Sequence, residues 1–208
     1  MNDPKATVKA GYDKVSYAYR ENDAGSETER YREMAEEFTG KVPKGSKVLD
    51  LGCGCGVPAA KLLSSRYRVT GVDLSEVQIE RARALVPDAE KFICCDMTEA
   101  DFSEGEFNGI VSFYAIIHLP VEEQYELFQS IYRWLASGGY FLVTTGHEAW
   151  TGTERNWLKV EGADMFWSHH DRDTYAGWFG SIGFDIVNER FIPEGDSGHT
   201  LFLLRKPK

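Results

Sequence analysis

A strand-like stretch that ends in closely spaced glycines restricts the fold of this chain more than any other feature. The stretch is KVLDLGC, residues 47–53, and Gly52, Gly54 and Gly56 occupy alternate positions at its end. Glycine permits a tight turn and lets a ligand lie against bare main chain. Because doubly wound sheets bind ligands at the carboxyl ends of their strands, this stretch predicts such a sheet with a ligand site at its first loop.

From residue 47 to residue 146, strand and helix patterns alternate along the chain. Pro58 falls in a first helical turn, where its missing N–H is harmless, and Ser75 with Gln78 forms a capping box. This alternation is typical of a parallel sheet covered by helices on both faces. The other predicted strands are 67–74, 89–96, 107–115 and 140–146, and the predicted helices are 58–65, 75–85 and 121–135.

The N-terminal part of the chain has a helical pattern. Tyr12 and Tyr19 are seven positions apart and share one face of a predicted helix over 7–22. The sequence SETE at 26–29 is a capping box that predicts a second helix to about Phe38.

The C-terminal part follows a different pattern from the core. Residues 147–170 show no clear periodicity and are rich in aromatic side chains, so they can cover the open end of the sheet, form the acceptor pocket, or do both. A predicted helix at about 171–182 then precedes a strand, a Gly/Pro turn and a strand over 184–207, which predicts an antiparallel hairpin. The aromatic residues of the segment are Trp150, Trp157, Phe166 and Trp167. We expect one domain over 1–208, with N-terminal helices at 1–40, the core at 41–146, an aromatic cap segment at 147–170 and the last helix and hairpin at 171–208.

The formal net charge of −10 argues against a nucleic acid partner. A surface this acidic repels phosphate backbones unless it holds a local basic stripe, and the sequence shows none. No apolar run approaches the roughly 20 residues of a membrane span, and the first residues lack the apolar stretch of a signal peptide. We therefore expect a cytoplasmic protein that contacts no membrane and binds a neutral or cationic small molecule.

Four cysteines occur in two close pairs, Cys53/Cys55 and Cys94/Cys95. A zinc site needs paired ligands on turns that converge, whereas adjacent residues of a strand point to opposite faces. No spacing such as His-x-x-x-His supports a metal either. We therefore expect reduced, half-buried thiols and no metal.

An acidic residue, Asp73, ends the second predicted strand about 20 positions after the glycine turn, where it can accept hydrogen bonds from both hydroxyls of a ribose. A cofactor that contains a nucleoside is therefore expected. One alternative is an NAD(P)-dependent oxidoreductase, but the chain has neither the Gly-x-Gly-x-x-Gly spacing of dinucleotide folds nor a Tyr-x-x-x-Lys pair. A second alternative is a non-catalytic module that binds the cofactor.

Five sequence blocks between residues 47 and 146 carry a family resemblance: VLDLGCGCG, GVDLS, CCDMTEADF, FNGIVSFYAIIHL and LASGGYFLVTT. Through them the chain resembles the class I S-adenosylmethionine-dependent methyltransferases, in particular the small-molecule group that includes quinone-biosynthesis enzymes (methyltransferase type 11). The resemblance implies an α/β fold with six parallel strands and one antiparallel strand, covered by an N-terminal lid helix in GYDKVSYAYR. It also implies S-adenosyl-L-methionine as methyl donor, S-adenosyl-L-homocysteine as product, and a small-molecule acceptor with an accepting O, N or C atom.

The resemblance assigns cofactor contacts to residues near the first two strands. Asp50 would steady the glycine turn, and Gly52 and Gly54 would lie against the methionine portion of the cofactor. Asp73 would hold the ribose, with Leu74 beside the adenine.

The same resemblance assigns contacts after the third and fourth strands. Asp96 would accept a hydrogen bond from the adenine amino group, and Met97 would pack on the ring. Phe113 and Tyr114 would lie near the methionine amine and the reacting methyl group.

A sulfonium is a cation without a hydrogen-bond donor at sulfur, so aromatic faces suit it. Tyr12, Tyr19 and Tyr114 are candidates for that role. For Tyr12 and Tyr19 the alternative is ordinary packing of an amphipathic helix, although the resemblance favours a lid over the cofactor.

The predicted catalytic residues are His118 and Tyr114. His118 follows the fourth predicted strand, where relatives often carry a histidine near the methyl-transfer site, and its imidazole could take a proton from an O or N nucleophile. Its alternative role is to cap the turn before Pro120, and His199 in the hairpin is expected to be structural. The other histidines that could reach the same cleft are His147, His169 and His170.

Overall fold

The computed structural model describes residues 3–20 and 27–208. Within this part of the chain the strands are β1 (Lys47–Leu51), β2 (Arg68–Asp73), β3 (Lys91–Cys94), β4 (Phe107–Ser112), β5 (Leu135–Gly146), β6 (Trp150–Glu154), β7 (Met165–His169), β8 (Asp185–Glu194) and β9 (Ser197–Arg205). The α-helices are α1 (Pro4–Tyr19), α2 (Glu27–Thr39), α3 (Ala59–Ser64), α4 (Glu76–Leu85), α5 (Val121–Trp134) and α6 (Arg172–Ile182). None of these described helices is long and apolar enough to cross a bilayer.

Seven strands form one sheet in the order β3-β2-β1-β4-β5-β9-β8. Pairing is parallel from β3 through β5, whereas β9 lies antiparallel between β5 and β8. Six strands therefore run in one direction and β9 runs against them. The reversal follows from the short turn between β8 and β9, because such a turn joins only antiparallel neighbours. The predicted α/β fold, with its mostly parallel sheet and C-terminal hairpin, is confirmed.

Successive residues of the central strands pack to opposite faces of the sheet, which creates two core layers. Val48 and Val111 belong to the layer that includes side chains of α2, α3 and α4. Leu49 and Ile110 belong to the layer that includes side chains of α5 and α6. All four side chains are fully buried. Because both faces of the sheet are covered, most inner residues of its parallel strands are apolar.

Two helices begin at the caps that the sequence provides. The Ser75 hydroxyl accepts a hydrogen bond from the Gln78 amide at 3.1 Å and starts α4. Asp171 starts α6 in the same way, through the Thr174 amide at 2.8 Å. Because Ser75 is separated from Asp73 by one residue, α4 begins at the carboxyl edge of the sheet.

The N-terminal helix differs from its predicted extent. α1 begins at Pro4 rather than at Thr7, because the Asp3 carboxylate accepts a hydrogen bond from the Lys5 amide at 3.0 Å and proline suits a first turn. The helix ends at Tyr19. The second predicted helix is present as α2. Two predicted positions lie outside the described residues. They are Asn22, the predicted end of the first helix, and Ser26, the predicted cap of the second.

The aromatic cap segment, 147–170, has more regular structure than its sequence indicates. It contains the antiparallel pair β6 and β7. Each strand has only five residues, too few to show a clear alternation. The segment packs on α1 at Gly11, where an added Cβ would lie 2.4 Å from the carbonyl oxygen of Asp164. α1 and the hairpin therefore form one cover beside the sheet edge.

Candidate active site

A cavity lies at the carboxyl ends of β1, β2 and β4, beneath α1. Its empty volume, including the open space at its mouth, is about 920 Å³. The residues predicted for cofactor binding or catalysis all line it: Tyr12, Tyr19, Asp50, Gly52, Gly54, Asp73, Leu74, Asp96, Met97, Phe113, Tyr114 and His118.

The glycine turn after β1 presents bare main chain to the cavity. The Gly52 amide donates to the Val72 carbonyl at 2.8 Å, which holds the turn on the end of β2. Gly52 has a φ of 73°, and an added Cβ would lie 2.1 Å from the Cβ of Ala115. At Gly54, an added Cβ would meet nothing closer than Nε2 of Gln78 at 3.9 Å. The uncovered face of Gly54 can therefore receive a ligand directly against the backbone.

Asp73, at the end of β2, anchors the glycine turn. Its Oδ2 accepts a hydrogen bond from the Gly54 amide and its Oδ1 accepts one from the Ser75 amide, each at 2.9 Å. Asp50 was expected to steady this turn, but within the described residues the bond to the turn comes from Asp73. Burial raises the pKa of Asp73 to about 6, and the two amides oppose that rise. A carboxylate oxygen accepts more than one hydrogen bond, so Asp73 keeps acceptor capacity toward the cavity.

Asp50 carries a buried oxygen that has no partner among the described residues. Its side chain is 1% exposed, and Oδ2 makes no hydrogen bond. Burial, with the neighbouring Asp73 carboxyl, raises the pKa of Asp50 to about 7. A buried acceptor without a partner costs free energy until a ligand supplies a donor. The two carboxyls together therefore suit a ligand that has both a cationic group and hydroxyl groups.

Asp96, beyond β3, lies between the cavity and the N-terminal end of α1. Its Oδ2 pairs with Nζ of Lys5 at 2.7 Å, and the same ammonium reaches Glu123 at 2.7 Å. Its Oδ1 accepts hydrogen bonds from the amide and the hydroxyl of Thr98, each at 2.9 Å. Burial alone would raise the pKa of Asp96, but Lys5 and Thr98 outweigh burial and lower it. The apolar side chains that line the cavity nearby are Val8, Leu74, Met97 and Leu119.

Tyr12 of α1 and His118 form a hydrogen-bonded pair. The Tyr12 hydroxyl lies 2.9 Å from Nε2 of His118, and Nδ1 lies 2.7 Å from the carbonyl oxygen of Phe166. A carbonyl oxygen only accepts, so Nδ1 carries the proton and Nε2 accepts from the Tyr12 hydroxyl. Burial lowers the pKa of His118 to about 4, so the ring is neutral near pH 7. Because Phe166 belongs to β7, the cap segment sets the tautomer of His118.

Two further cavity residues, Arg20 and Tyr31, were not predicted from the sequence. The Arg20 guanidinium lies 4.9 and 5.4 Å from the ring centroids of Tyr19 and Tyr31 and donates to the Tyr31 hydroxyl at 3.3 Å. Arg20 ends the stretch GYDKVSYAYR, next to Tyr19. This position could have indicated from the sequence that Arg20 lies at the cavity. Tyr31 shares the apolar face of α2 with Met34 and Phe38. Its spacing along the helix is that of a core residue, so the sequence did not mark it as a cavity residue.

Phe113 and Tyr114 follow β4 and line the cavity wall. Tyr114 has a φ of 55°, which is uncommon for a residue other than glycine. Its amide donates to the Thr144 hydroxyl, and its ring centroid lies 5.1 Å from that of His199. Burial and the nearby Glu194 carboxylate raise the pKa of Tyr114, so its hydroxyl keeps its proton. Backbone strain of this kind is concentrated at functional sites.

The aromatic cap residues form a second layer behind the cavity. The Trp157 ring centroid lies 5.6 and 5.1 Å from those of Tyr12 and Tyr19, and the Trp167 centroid lies 4.2 Å from that of His118. No residue of the 147–170 segment lines this cavity. Of the two roles considered for the segment, the contacts fit a cover that supports the lining side chains.

Most of the predicted histidines lie away from the cavity. Nδ1 of His169 lies 2.7 Å from the Glu148 carbonyl, and Nδ1 of His147 lies 3.0 Å from the Thr200 hydroxyl. Across residues 3–20 and 27–208, no three His, Cys, Asp or Glu side chains are grouped so as to hold a metal ion. The histidines outside the cavity lining are His147, His169, His170 and His199.

Several known proteins are similar to this chain in sequence. Residues 48–139 match the family described as "Methyltransferase domain". The 24-methylenesterol C-methyltransferase 3 of Arabidopsis thaliana is 32% identical over 82% of this chain and 50% of its own length. The phosphoethanolamine N-methyltransferase 1 of Triticum aestivum is 32% identical over 76% of this chain and 32% of its own length. The chain thus spans half or less of these curated relatives.

A solved structure shows the same fold. The Burkholderia thailandensis 1,6-didemethyltoxoflavin-N1-methyltransferase, with bound 1,6-didemethyltoxoflavin and S-adenosylhomocysteine, superimposes with a TM-score of 0.75. The match covers 100% of this chain and 92% of that chain at 19% identity, and so shows the fold alone. The strand order, the match to the methyltransferase domain and the named relatives are all consistent with a cofactor cavity at the carboxyl ends of the strands. The chain therefore belongs to the class I S-adenosylmethionine-dependent methyltransferases.

Proposed function

We propose that this chain transfers a methyl group from S-adenosylmethionine to a small-molecule acceptor. The observation that carries the proposal is the partnerless buried oxygen of Asp50 beside the glycine turn and Asp73. An amino acid attached to a ribose satisfies both carboxyls, through its ammonium group and its hydroxyls. The pyrophosphate of a dinucleotide would place negative charge against the same carboxyls, which disfavours the oxidoreductase alternative.

Each part of S-adenosylmethionine has a matching residue along the cavity. Asp73 accepts from the ribose hydroxyls and Asp50 from the ammonium group. Arg20 offers its guanidinium to the carboxylate, a pairing that its planar fork favours. Asp96 accepts from the adenine amino group. The residues proposed to lie along the remaining ligand surface are Gly52, Gly54, Leu74, Met97 and Phe113.

Bound S-adenosylmethionine supplies an electrophilic methyl group on a positively charged sulfur. The protein has to orient the acceptor and exclude water. The rings of Tyr12, Tyr19, Tyr31 and Tyr114 line the cavity, and aromatic faces attract a cation. Trp157 packs behind Tyr12 and Tyr19, on the side away from the cavity.

His118 acts by positioning Tyr12. Its pKa of about 4 makes it a weak proton acceptor near pH 7, and both ring nitrogens are already engaged. The proton of the Tyr12 hydroxyl is directed to His118, so the lone pairs of that oxygen are free for the ligand. Tyr114 keeps its own proton and serves as a donor at the other side of the cavity.

The acceptor lies at the tyrosine-lined part of the cavity, because the cap segment contributes no lining residue. The relatives named above are methyltransferases for a sterol carbon and for the nitrogen of phosphoethanolamine. A small molecule with an accepting O, N or C atom fits this site.

A cytoplasmic location without a nucleic acid partner belongs to the same proposal. All four cysteines are free thiols, which suits a reducing compartment. The net charge of −10 opposes binding to phosphate backbones.

Titration calorimetry with S-adenosylhomocysteine and NADH tests the cofactor assignment. We expect the wild type to bind S-adenosylhomocysteine and not NADH. Asp73→Asn removes charge-assisted hydrogen bonds to the ribose and weakens binding by at least about tenfold. Asp88→Asn is the matched control, because Asp88 is exposed. Binding of NADH, or unchanged affinity in Asp73→Asn, contradicts the proposal.

A screen of metabolite pools with a labelled methyl donor then tests the transfer. Label is expected in a low-molecular-weight product, with none in added protein or RNA. Binding of the donor without any labelled product across the pools favours the non-catalytic alternative.

A further inference from the structure

A buried arginine on α4 holds the last turn of the lid helix α1 without lining the cavity. Arg81 is 6% exposed. Its guanidinium donates to the Ser16 carbonyl, to the Ser16 hydroxyl at 2.9 Å and to the Arg20 carbonyl at 2.7 Å. The last carbonyls of a helix lack intrahelical donors, and a cation there is favourable. Arg81 therefore supplies the C-terminal end of α1 with both donors and charge.

A second buried contact makes this attachment specific. Ser16, fully buried, donates its hydroxyl proton to Oε1 of Gln78 at 2.7 Å. Its lone pairs therefore remain for Arg81. Gln78 and Arg81 are on the same helix, so the end of α1 is fixed relative to α4 at two points. Ser75, which caps α4, is bonded in turn to the ribose-site carboxylate of Asp73.

α1 extends along the length of the cavity. Near its N-terminal end Lys5 pairs with Asp96 at 2.7 Å, and near its other end Tyr19 and Arg20 line the cavity. At about 1.5 Å per residue, Lys5 and Tyr19 are about 21 Å apart. The end that Arg81 holds is thus the end farthest from the proposed adenine contact. It is the end at which Arg20 is proposed to bind the carboxylate of the cofactor.

We propose that Arg81 is a positioning residue that sets the affinity for the amino-acid part of the cofactor. It acts through the main chain of Ser16 and Arg20, which fixes where the Tyr19 ring and the Arg20 guanidinium lie in the cavity wall. The proposal rests on the proposed function, because it takes S-adenosylmethionine as the ligand.

Comparison of two ligands separates positioning from general stability. S-adenosylhomocysteine contains the amino-acid part, and 5′-methylthioadenosine keeps the adenosine and the sulfur without it. In Arg81→Met we expect the affinity for S-adenosylhomocysteine to fall by at least about tenfold, since buried hydrogen bonds from a charged group are lost. The affinity for methylthioadenosine, measured by calorimetry or by displacement, changes by less than about twofold.

Arg83→Ala is the matched control, because Arg83 is an exposed arginine on the same helix. It removes the same charge and leaves both affinities unchanged. Ser16→Ala is the second variant and serves also if Arg81→Met does not fold. It keeps the arginine but removes one of its acceptors. We therefore expect a smaller loss of S-adenosylhomocysteine affinity than in Arg81→Met, again with little change in methylthioadenosine affinity.

Equal weakening of both ligands would overturn the positioning role, and so would unchanged S-adenosylhomocysteine affinity in both variants. A wild type that binds neither ligand would instead refute the proposed function.

Discussion

Two carboxyl groups at the strand ends are held in an environment that opposes their charge. Asp50 and Asp73 are 1% and 9% exposed, and burial raises both pKa values. Such an arrangement weakens the ligand-free protein and strengthens binding of a cation. Perturbed carboxyls of this kind are concentrated at functional sites.

Replacement of Asp50 by asparagine tests this conflict between stability and binding. The folded protein keeps the Asp50 proton up to about pH 7, whereas an aspartate in the unfolded chain has its ordinary pKa of about 3.9. The unfolded chain therefore binds fewer protons across this window, and stability falls as pH rises through it. Asp50→Asn removes that dependence, so the Tm of the variant minus that of the wild type increases from pH 5 to pH 8.

Thermal unfolding of the ligand-free proteins measures this difference. Asp88→Asn is the control, because the Asp88 carboxyl is exposed. In the same series Asp50→Asn binds S-adenosylhomocysteine more weakly, because the ammonium loses its anionic acceptor. A Tm difference that stays constant with pH contradicts the assigned pKa direction.

The protonation state of the His118 ring can be measured directly. We expect ¹⁵N NMR to show a neutral ring with the proton on Nδ1 between pH 5 and pH 8, because burial lowers the pKa of His118 to about 4. Tyr12→Phe shifts the Nε2 resonance by removing its donor. Tyr17→Phe is the control on the same helix, with a side chain that is 65% exposed. A titration midpoint near 6.5 would show that the ring is solvated.

At the scale of elements, the site depends on how closely α1 and the cap segment approach one another. Nζ of Lys14 donates to the Gly162 carbonyl at 2.6 Å, and Gly11 lies directly against the Asp164 carbonyl. The same cap segment supplies the Phe166 carbonyl that orients His118. The lid and the cap therefore act on the cavity as one unit.

Gly11→Ala tests whether the close contact between α1 and the cap segment outweighs the higher helix propensity of alanine. Alanine in a helix interior is favoured over glycine by about 1 kcal/mol, but here the added Cβ would lie 2.4 Å from a backbone oxygen. Overpacking of this kind costs about 1–3 kcal/mol. We expect Gly11→Ala to weaken S-adenosylhomocysteine binding and to lower the free energy of urea unfolding.

Gly177→Ala, in α6, is the matched control for that substitution. Its added Cβ would meet nothing within 4 Å, so the variant is as stable as the wild type or more stable. A stabilising effect at both positions would mean that α1 and the cap segment do not touch in solution.

For the whole molecule, the cofactor joins elements that are far apart in sequence. The cavity takes residues from α1, from α2 and from the loops after β1, β2, β3 and β4. A ligand that binds only when these are assembled stabilises the folded state by mass action.

Thermal unfolding with and without ligand measures this linkage. At about 100 times the dissociation constant, S-adenosylhomocysteine adds about 2.7 kcal/mol, which for a chain of this size raises the Tm by about 5–11 °C. NADH at the same concentration leaves the Tm unchanged. A Tm that does not respond to S-adenosylhomocysteine would contradict binding at an assembled site.

The sheet and its cofactor edge could be predicted because their signals are local. A buried strand, a glycine turn and a helix cap occur within a few residues of one another, and Ser75 caps α4 as its spacing predicts. The roles of Arg81 and Lys5 could not be predicted. Each depends on a partner distant in the chain, and an arginine on a helix surface has the same pattern whether it faces solvent or another helix.

The sequence by itself determined the alternation of strands and helices in the core, the tight turn at Gly52 and Gly54, and the acidic end of β2, because backbone geometry and side-chain periodicity act over short distances. Only the tertiary structure decided that Asp50 is left with a partnerless oxygen, that Tyr12 binds a neutral His118, and that the aromatic cap lies behind the cavity. Burial and long-range contacts set those properties, and they exist only after the helices and the hairpin have packed on the sheet.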